Sequence, residues 1–215
     1  MQLIRSGCVY GTRTRAQEQS VINHEMDMLI RAQNGDEEAF TSLVLQYQNP
    51  VYNLCYRMLG NAQEAEDAAQ ETFWRAFQAI RRYDRNRSFA TWLLSIAAHY
   101  CIDQQRKKRI TTMEIEDWME EVIPDHTPEP EKQVRENEER QSIQSLLSSL
   151  NPQDRAAVIL RYWYECSEEE ISQALQLSVS AVKSRLHRAR LRLAQQYQSQ
   201  NYAMTERIHD ESPAF

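Results

Sequence analysis

Between Ser167 and Arg192 the sequence SEEEISQALQLSVSAVKSRLHRARLR admits few folds. Ser167 followed three residues later by Glu170 is a capping box, in which hydroxyl and carboxylate each satisfy an orphan backbone N–H, so a helix starts at Glu168. That helix buries Ile171, Ala174 and Leu175. The turn falls near Gln176 and Leu177, where Gln176 is expected to serve with negative φ. Ser178 caps a second helix from Val179, with Val182, Leu186 and Leu193 facing inward. Lys183, Arg185, Arg188, Arg190 and Arg192 project from its remaining surface, which carries no acid. Two helices about a tight turn, the second one basic, form a helix-turn-helix suited to duplex DNA. Its cations meet phosphates, while Ser180, Ala181 and Ser184 are small enough to let the backbone approach base edges in a major groove. A solvated basic helix in an ordinary bundle is the competing reading.

A net charge of -6 sits oddly with DNA binding until it is mapped along the chain. Residues 111–140 hold eleven acids and three bases, a local charge of -8, which leaves +2 for everything else. Pro124, Pro128 and Pro130 fall in the same stretch, which predicts an extended, self-repelling linker with helix resuming around Lys132 to Glu139. Two domains therefore flank an acidic tether. With four glycines in the chain and no run of strand period, both domains are expected to be helical.

The amino-terminal domain divides at its turn residues. Asn34, Gly35 and Asp36 end one helix and cap a second carrying Phe40, Leu43, Val44 and Tyr47, which Pro50 is expected to interrupt. A third helix from Val51 lines up Leu54, Cys55, Met58 and Leu59 before Gly60 and Asn61 give a stop followed by a new cap. The next, about Ala62 to Ile80, places Glu64, Glu66, Asp67 and Glu71 in its first half and Phe73, Trp74, Phe77 and Ile80 in its second. Acids suit the positive end of a helix dipole. Four carboxylates read as lacking a basic partner one turn on exceed what capping needs. Either they await a cationic partner or they form a solvated face.

Residues 81–109 then carry eight bases against two acids, with Tyr83, Phe89, Trp92 and Tyr100 interleaved. Cations neutralise a backbone and aromatic faces stack on unpaired bases, which is the requirement of single-stranded nucleic acid. Phe89, Trp92, Leu93, Ile96 and Ala97 also fall at helical spacing, the pattern of a core. The loop Asp84 to Ser88 and the basic run Arg106 to Arg109 are the stronger functional candidates.

The opening twenty residues lack an unbroken apolar segment and include Arg5, Arg13 and Arg15, so they do not read as a secretory signal. A disordered leader is expected over 1–25, with Met26 and Met28 as alternative starts. Cys8, Cys55, Cys101 and Cys166 stand far apart without CxxC or Cys/His pairing, which fits a reducing cytoplasm and disfavours a metal site. Cys166 reads as an inert thiol more readily than as a redox group. A Gly-rich phosphate loop, a metal-ligand cluster and a nucleophile motif are missing, so an enzyme, a cofactor and a small-molecule substrate are not expected.

A strand-binding candidate tethered to a duplex reader resembles a bacterial RNA polymerase sigma factor of the sigma-70 family, extracytoplasmic-function (ECF) subfamily. AEDAAQETFWRAF (65–77) and FATWLLSIAAHYCIDQQRKKR (89–109) resemble sigma region 2. LSSLNPQDRAAVILRYWYECSEEEISQALQLSVSAVKSRLHRARLRL (147–193) resembles region 4. The resemblance implies an all-α fold of two small helical domains. A region 2-like domain spans 26–110, the acidic linker 111–136, a region 4-like helix-turn-helix domain 137–198 and a tail 199–215, itself no more than a short helix or disorder.

It also implies roles. Glu66, Asp67, Gln70, Glu71, Phe73 and Trp74 would dock on the clamp helices of the largest subunit of core RNA polymerase, and the flap of the second-largest would be a further contact. Arg85, Asn86, Arg87, Ser88 and Phe89 would capture a flipped base of the -10 element, with Arg106, Lys107, Lys108 and Arg109 on phosphates. Ser178, Ser180, Ala181, Lys183, Ser184, Arg185 and Arg188, within a helix-turn-helix over 168–187, would read the -35 element. An anti-sigma factor, often membrane-anchored in such systems, would restrain a cytoplasmic protein. Family members often have Gly where Gln176 stands, Ala where Ser172 stands and Asn where His99 stands; a half-buried, hydrogen-bonded His99 is expected over a pH sensor. A two-domain regulator that binds duplex DNA without polymerase is the alternative, although the dimer seam it needs is not visible.

Overall fold

The computed structural model describes the backbone of residues 15–114 and 131–210 and the side chains of residues 24–109 and 140–199. Eight α-helices make up the described residues, with a single 3-10 turn at Ile80–Arg82. The first domain comprises α1 (Arg15–Gln33), α2 (Glu37–Leu59), α3 (Ala62–Ala79) and α4 (Phe89–Glu114). The second comprises α5 (Glu131–Ser148), α6 (Pro152–Tyr162), α7 (Glu168–Leu175) and α8 (Val179–Asp210).

Local chemistry sets the ends of these helices. Asp36 caps α2 by accepting from the Ala39 N–H at 3.0 Å, and Arg31 donates to its other carboxylate oxygen at 2.8 Å. Asn61 caps α3 through the Glu64 N–H at 3.0 Å. Gly60 ends α2 in the left-handed region at φ 78°, a conformation that costs glycine nothing.

Pro50 does not divide α2. The helix runs unbroken from Glu37 to Leu59 with Pro50 inside it, correcting the expectation of two helices. Losing one helical hydrogen bond and adding a ring clash costs about 3 kcal/mol. Fully burying Leu43, Val51, Leu54 and Met58 along one continuous stripe outweighs that cost, at roughly 1.5–3 kcal/mol per side chain. Opposite the stripe, α3 presents buried Ala65, Ala68, Ala69 and Ala76, so the helices approach closely. From α4 come Leu93, Leu94, Ala97, Ala98 and Cys101. Cys55 and Cys101, distant in sequence, hydrogen-bond within this core, which pushes the Cys101 thiol up. In the second domain Leu147, Leu150, Ile159, Leu160, Ile171, Val182 and Leu186 fill the interior.

The two domains pack directly together, α2 against α5 and α6, and α4 against α6 and α7. Arg155 donates to the Met58 carbonyl at 2.6 Å and the Tyr164 hydroxyl to the Pro50 carbonyl at 2.6 Å. The Arg57 guanidinium lies 5.1 Å from the centre of the Trp163 ring. Most of the acidic tether, 115–130, lies outside the described residues, while its margins are helical because α4 continues to Glu114 and α5 begins at Glu131. Helix also extends into both ends: α1 begins at Arg15, inside the expected leader, and α8 reaches Asp210, inside the tail.

Candidate nucleic-acid interface

The helix-turn-helix forms with the expected phase. Ser167 and Glu170 make both bonds of the capping box, and the Ser178 hydroxyl accepts from the Ala181 N–H at 3.2 Å to start α8. Gln176 departs from the reading of negative φ, since it sits in the left-handed region at φ 54° and ψ 44°. The tightness of the α7–α8 turn requires that conformation, and the Ser172 hydroxyl reinforces it by donating to the Leu177 carbonyl.

The cations of α8 divide into two sets. Lys183, Arg188, Arg190 and Arg192 are exposed, as are Ser178, Ser180 and Ser184, while Ala181 is half-buried. Lys183 pairs with Glu168 at 3.5 Å across the turn. Arg185 does not project with the others: its side chain is 22% exposed and its Nη1 lies 2.7 Å from the Asp154 carboxylate on α6. An acid 6% exposed beneath the helix draws in this guanidinium, and sequence spacing alone placed Arg185 on the outer face.

The loop before α4 is ordered by its own side chains. Asp84 accepts from both the backbone N–H and the side-chain amide of Asn86 at 3.0 Å, and its carbonyl accepts from the Arg87 N–H at 3.0 Å. The Tyr83 hydroxyl donates to the Arg87 carbonyl. Burial pushes the Tyr83 phenol up to about 12. Arg85, Asn86, Arg87 and Ser88 are exposed. Phe89 is not: it packs edge-on against Tyr47 at 5.3 Å and Tyr83 at 5.5 Å and lies 5.5 Å from Trp92. As the first residue of α4 it follows the helical spacing into the core, so the loop offers polar groups and cations rather than an aromatic face.

Arg85, Arg87 and Ser88 line a cavity of about 680 Å³ shared with Tyr47, Tyr83, Arg161 and Glu170. Asn86, Arg87 and Ser88 also border a second cleft with His99, Gln173 and Gln176. Arg87 stands between the two and donates to the Gln173 side chain at 2.9 Å, which joins the loop to α7. His99 is half-buried and its Nδ1 lies 2.8 Å from the Ser95 carbonyl. At the far end of α4, Arg106, Lys107, Lys108 and Arg109 are exposed, and Lys108 is paired with Glu64 of α3.

That pair and a second one correct the view of α3 as an unpaired acidic face. Glu71 meets Arg75 at 2.7 Å, one turn along the same helix. Glu66, Asp67 and Gln70 remain exposed beside half-buried Phe73 and Trp74, which is 57% exposed. Phe77, expected among the aromatic residues of the second half of this helix, is exposed, stacks on Trp74 at 6.3 Å and meets Phe40 edge-on at 5.0 Å. The apolar strip therefore extends to Phe40 and Val44 of α2, residues that sequence reading had placed only as helix markers.

An acidic and aromatic face, a polar loop beside a basic helix and a basic helix-turn-helix coincide with two family models: Sigma-70 region 2 over residues 43–110 and Sigma-70 region 4 over 140–193. The ECF RNA polymerase sigma factor SigW of Bacillus subtilis is 38% identical over 184 residues, spanning 80% of this chain and 98% of the relative. This chain belongs to the ECF sigma factors of the sigma-70 family. The ECF sigma factor SigE of Mycolicibacterium smegmatis is 37% identical over 164 residues, 74% of this sigma factor and 63% of that one. In fold, the chain is similar to CnrH, solved in complex with the cytosolic domain of CnrY, at 23% identity with a TM-score of 0.60 over 82% of this chain and 98% of CnrH. It is likewise similar to RpoE of Bartonella quintana, solved with the anti-sigma factor NepR, at 20% identity and a TM-score of 0.59 over 74% and 96% of the two chains. Among the described residues no helix is long and apolar enough to cross a membrane.

Proposed function

We propose that this sigma factor binds core RNA polymerase and directs promoter-specific initiation, melting the -10 element with its first domain and reading the -35 element with its second. The observation that carries this reading is the presence, in one chain and in order, of a region 2 module with an exposed polar loop and a region 4 module with an exposed basic recognition helix. Synthesis chemistry would belong to the polymerase.

Glu66, Asp67, Gln70 and Glu71, with Phe73 and Trp74 beside them, would meet the clamp helices of the largest subunit. Charge would steer the encounter and the exposed indole would supply buried area. Region 4 would meet the flap of the second-largest subunit. At the -10 element, a base that leaves the stack gains hydrogen bonds from Arg85, Asn86, Arg87 and Ser88, offsetting an unstacking cost of a few kcal/mol. Phe89 would support that loop from within. Arg106, Lys107, Lys108 and Arg109 would hold phosphates, which adds affinity without sequence information. Over the -35 duplex, Ser178, Ser180, Ala181, Lys183, Ser184 and Arg188 would face the major groove.

The solved relatives are complexes with the cytosolic domain of CnrY and with the anti-sigma factor NepR, and we extend to this chain a restraining partner of that class acting in the cytoplasm. Run-off transcription with core polymerase on a promoter library tests the central reading. Specific start sites that depend on both promoter elements are expected; duplex binding that leaves core polymerase nonspecific would instead identify the polymerase-independent regulator.

A further inference from the structure

The ion pair between Asp154 and Arg185 joins the recognition helix to the first turn of α6. Both carboxylate oxygens are committed: one accepts from Arg185 Nη1 at 2.7 Å, the other from the Asn151 side-chain amide at 2.6 Å. Asn151 is itself fixed as the α6 cap, its Oδ1 accepting from the Asp154 N–H at 2.9 Å. A chain of directed bonds therefore runs from the α6 terminus to the second turn of α8. The other contacts that seat this part of α8 are those of buried Val182, Leu186 and Ala189 and the pair of Lys183 with Glu168 at 3.5 Å, a solvent-exposed ion pair that holds orientation weakly.

Apolar packing holds a helix close but resists rotation about its own axis weakly, because such contacts are not directional. A rotation of about 20° at a side-chain radius of about 6 Å moves a tip by roughly 2 Å. A base-edge hydrogen bond tolerates only about 0.5 Å. Turning Arg185 outward to a base would leave a nearly buried carboxylate without its counter-ion. Exposed Ser184 and Arg188 carry no such obligation among the described residues.

We propose that Arg185 is a positioning residue: held by Asp154, it sets the rotation of the recognition helix and so aims Ser180, Ser184 and Arg188 at the -35 bases without reading a base itself. The proposal rests on the assignment of the second domain to the -35 element.

The test uses the full chain assembled with core polymerase on promoters selected from a randomised library. Binding to every single base-pair variant of the selected -35 element is measured for wild type, Asp154→Asn, Arg185→Ala, Arg185→Lys and the double variant Asp154→Asn/Arg185→Ala. Either single change to an uncharged residue is expected to weaken binding roughly ten- to hundredfold, with preference flattened at all -35 positions together. The double variant is expected to be no worse than the weaker single one, and Arg185→Lys to recover part of the loss. The salt dependence should keep its slope, since no phosphate contact is removed.

Relaxed choice at one base pair in Arg185→Ala, with Asp154→Asn unaffected, would overturn the proposal and make Arg185 a reader. Loss of helical circular dichroism in the near-isosteric Asp154→Asn would overturn it too, marking the pair as a support for the whole domain rather than an aiming device. A wild-type holoenzyme that selects no -35 sequence would defeat the underlying domain assignment instead.

Discussion

Arg155 of the second domain places its guanidinium on the carbonyl of Met58, one residue before the last of α2, at 2.6 Å. Its other terminal nitrogen donates to the Ser148 and Leu150 carbonyls, so one side chain, 8% exposed, ties the entry to α6 onto the end of a first-domain helix. Carbonyls at a helix terminus carry the negative end of its dipole, which suits a cation. Burial lowers the Arg155 pKa from its ordinary value, yet three carbonyl acceptors compensate the charge.

Removing that cation is expected to loosen the packed pair of domains. Arg155→Ala should cost about 1.5–3 kcal/mol, the range for hydrogen bonds to a charged group. Thermal unfolding would report the loss, and small-angle scattering would report a larger radius of gyration at temperatures where both domains remain helical.

Charge reversal at Arg188 separates the two DNA activities. Arg188→Glu should abolish -35-dependent recruitment while preserving binding to a heteroduplex already open at the -10 element. Arg188→Ala, which removes a base-edge contact, should cost about 1–3 kcal/mol and relax preference at the -35 position that Arg188 faces. Equal losses on both templates would show that Arg188 acts outside the duplex-reading face.

Substitution of Gln176 by Gly is expected to stabilise the second domain. Gln176 holds φ at 54°, a region costing an L-residue roughly 1–2 kcal/mol that glycine avoids, so the gain should be about 0.5–1 kcal/mol after the extra chain entropy of roughly 0.5–1 kcal/mol. A raised melting temperature checks it; a lowered one would mean that the side chain contributes more than its backbone costs.

Alkaline pH should weaken the fold before the ordinary tyrosine range is passed. Burial raises Tyr83 from 10.0 to about 12 and Cys166 from 9.0 to about 12, so both stay protonated in the folded state while the unfolded chain has begun to lose those protons. Their contribution is complete below about pH 9 and declines as pH climbs through 9.0–12. Denaturant midpoints measured from pH 8 upward should fall over that interval, and the fall should shrink in Tyr83→Phe. That variant also loses the hydrogen bond to the Arg87 carbonyl, so binding to an opened -10 strand is expected to weaken by roughly fivefold, the equivalent of about 1 kcal/mol.

Features set by neighbours along the chain were legible in the residues. The capping box at Ser167 and Glu170, the stop at Gly60 and the caps at Asp36 and Asn61 each need a partner three or four positions away, and each formed. Pro50 misled because propensity is local, whereas the decision to continue α2 was made by the buried stripe on either side of it. Glu71 and Arg75 were within reach of the same reasoning, and their i,i+4 spacing was the signal overlooked. Nothing in the spacing of α8 could reveal that Arg185 faces an acid on α6, or that Phe77 is left uncovered. Those outcomes depend on which helix lies alongside, as does the docking of Arg155 on α2.

The bond from Arg87 to Gln173 engages the same loop that is proposed to hold the melted strand. On that reading every promoter must displace one internal acceptor before it can offer its own. A uniform penalty leaves the ratio between strong and weak sequences untouched but pushes weak ones below useful occupancy first. Fidelity in the cell would then rise with a contact that meets no nucleotide at all, and loosening Gln173 would broaden the regulon without altering a single reading residue.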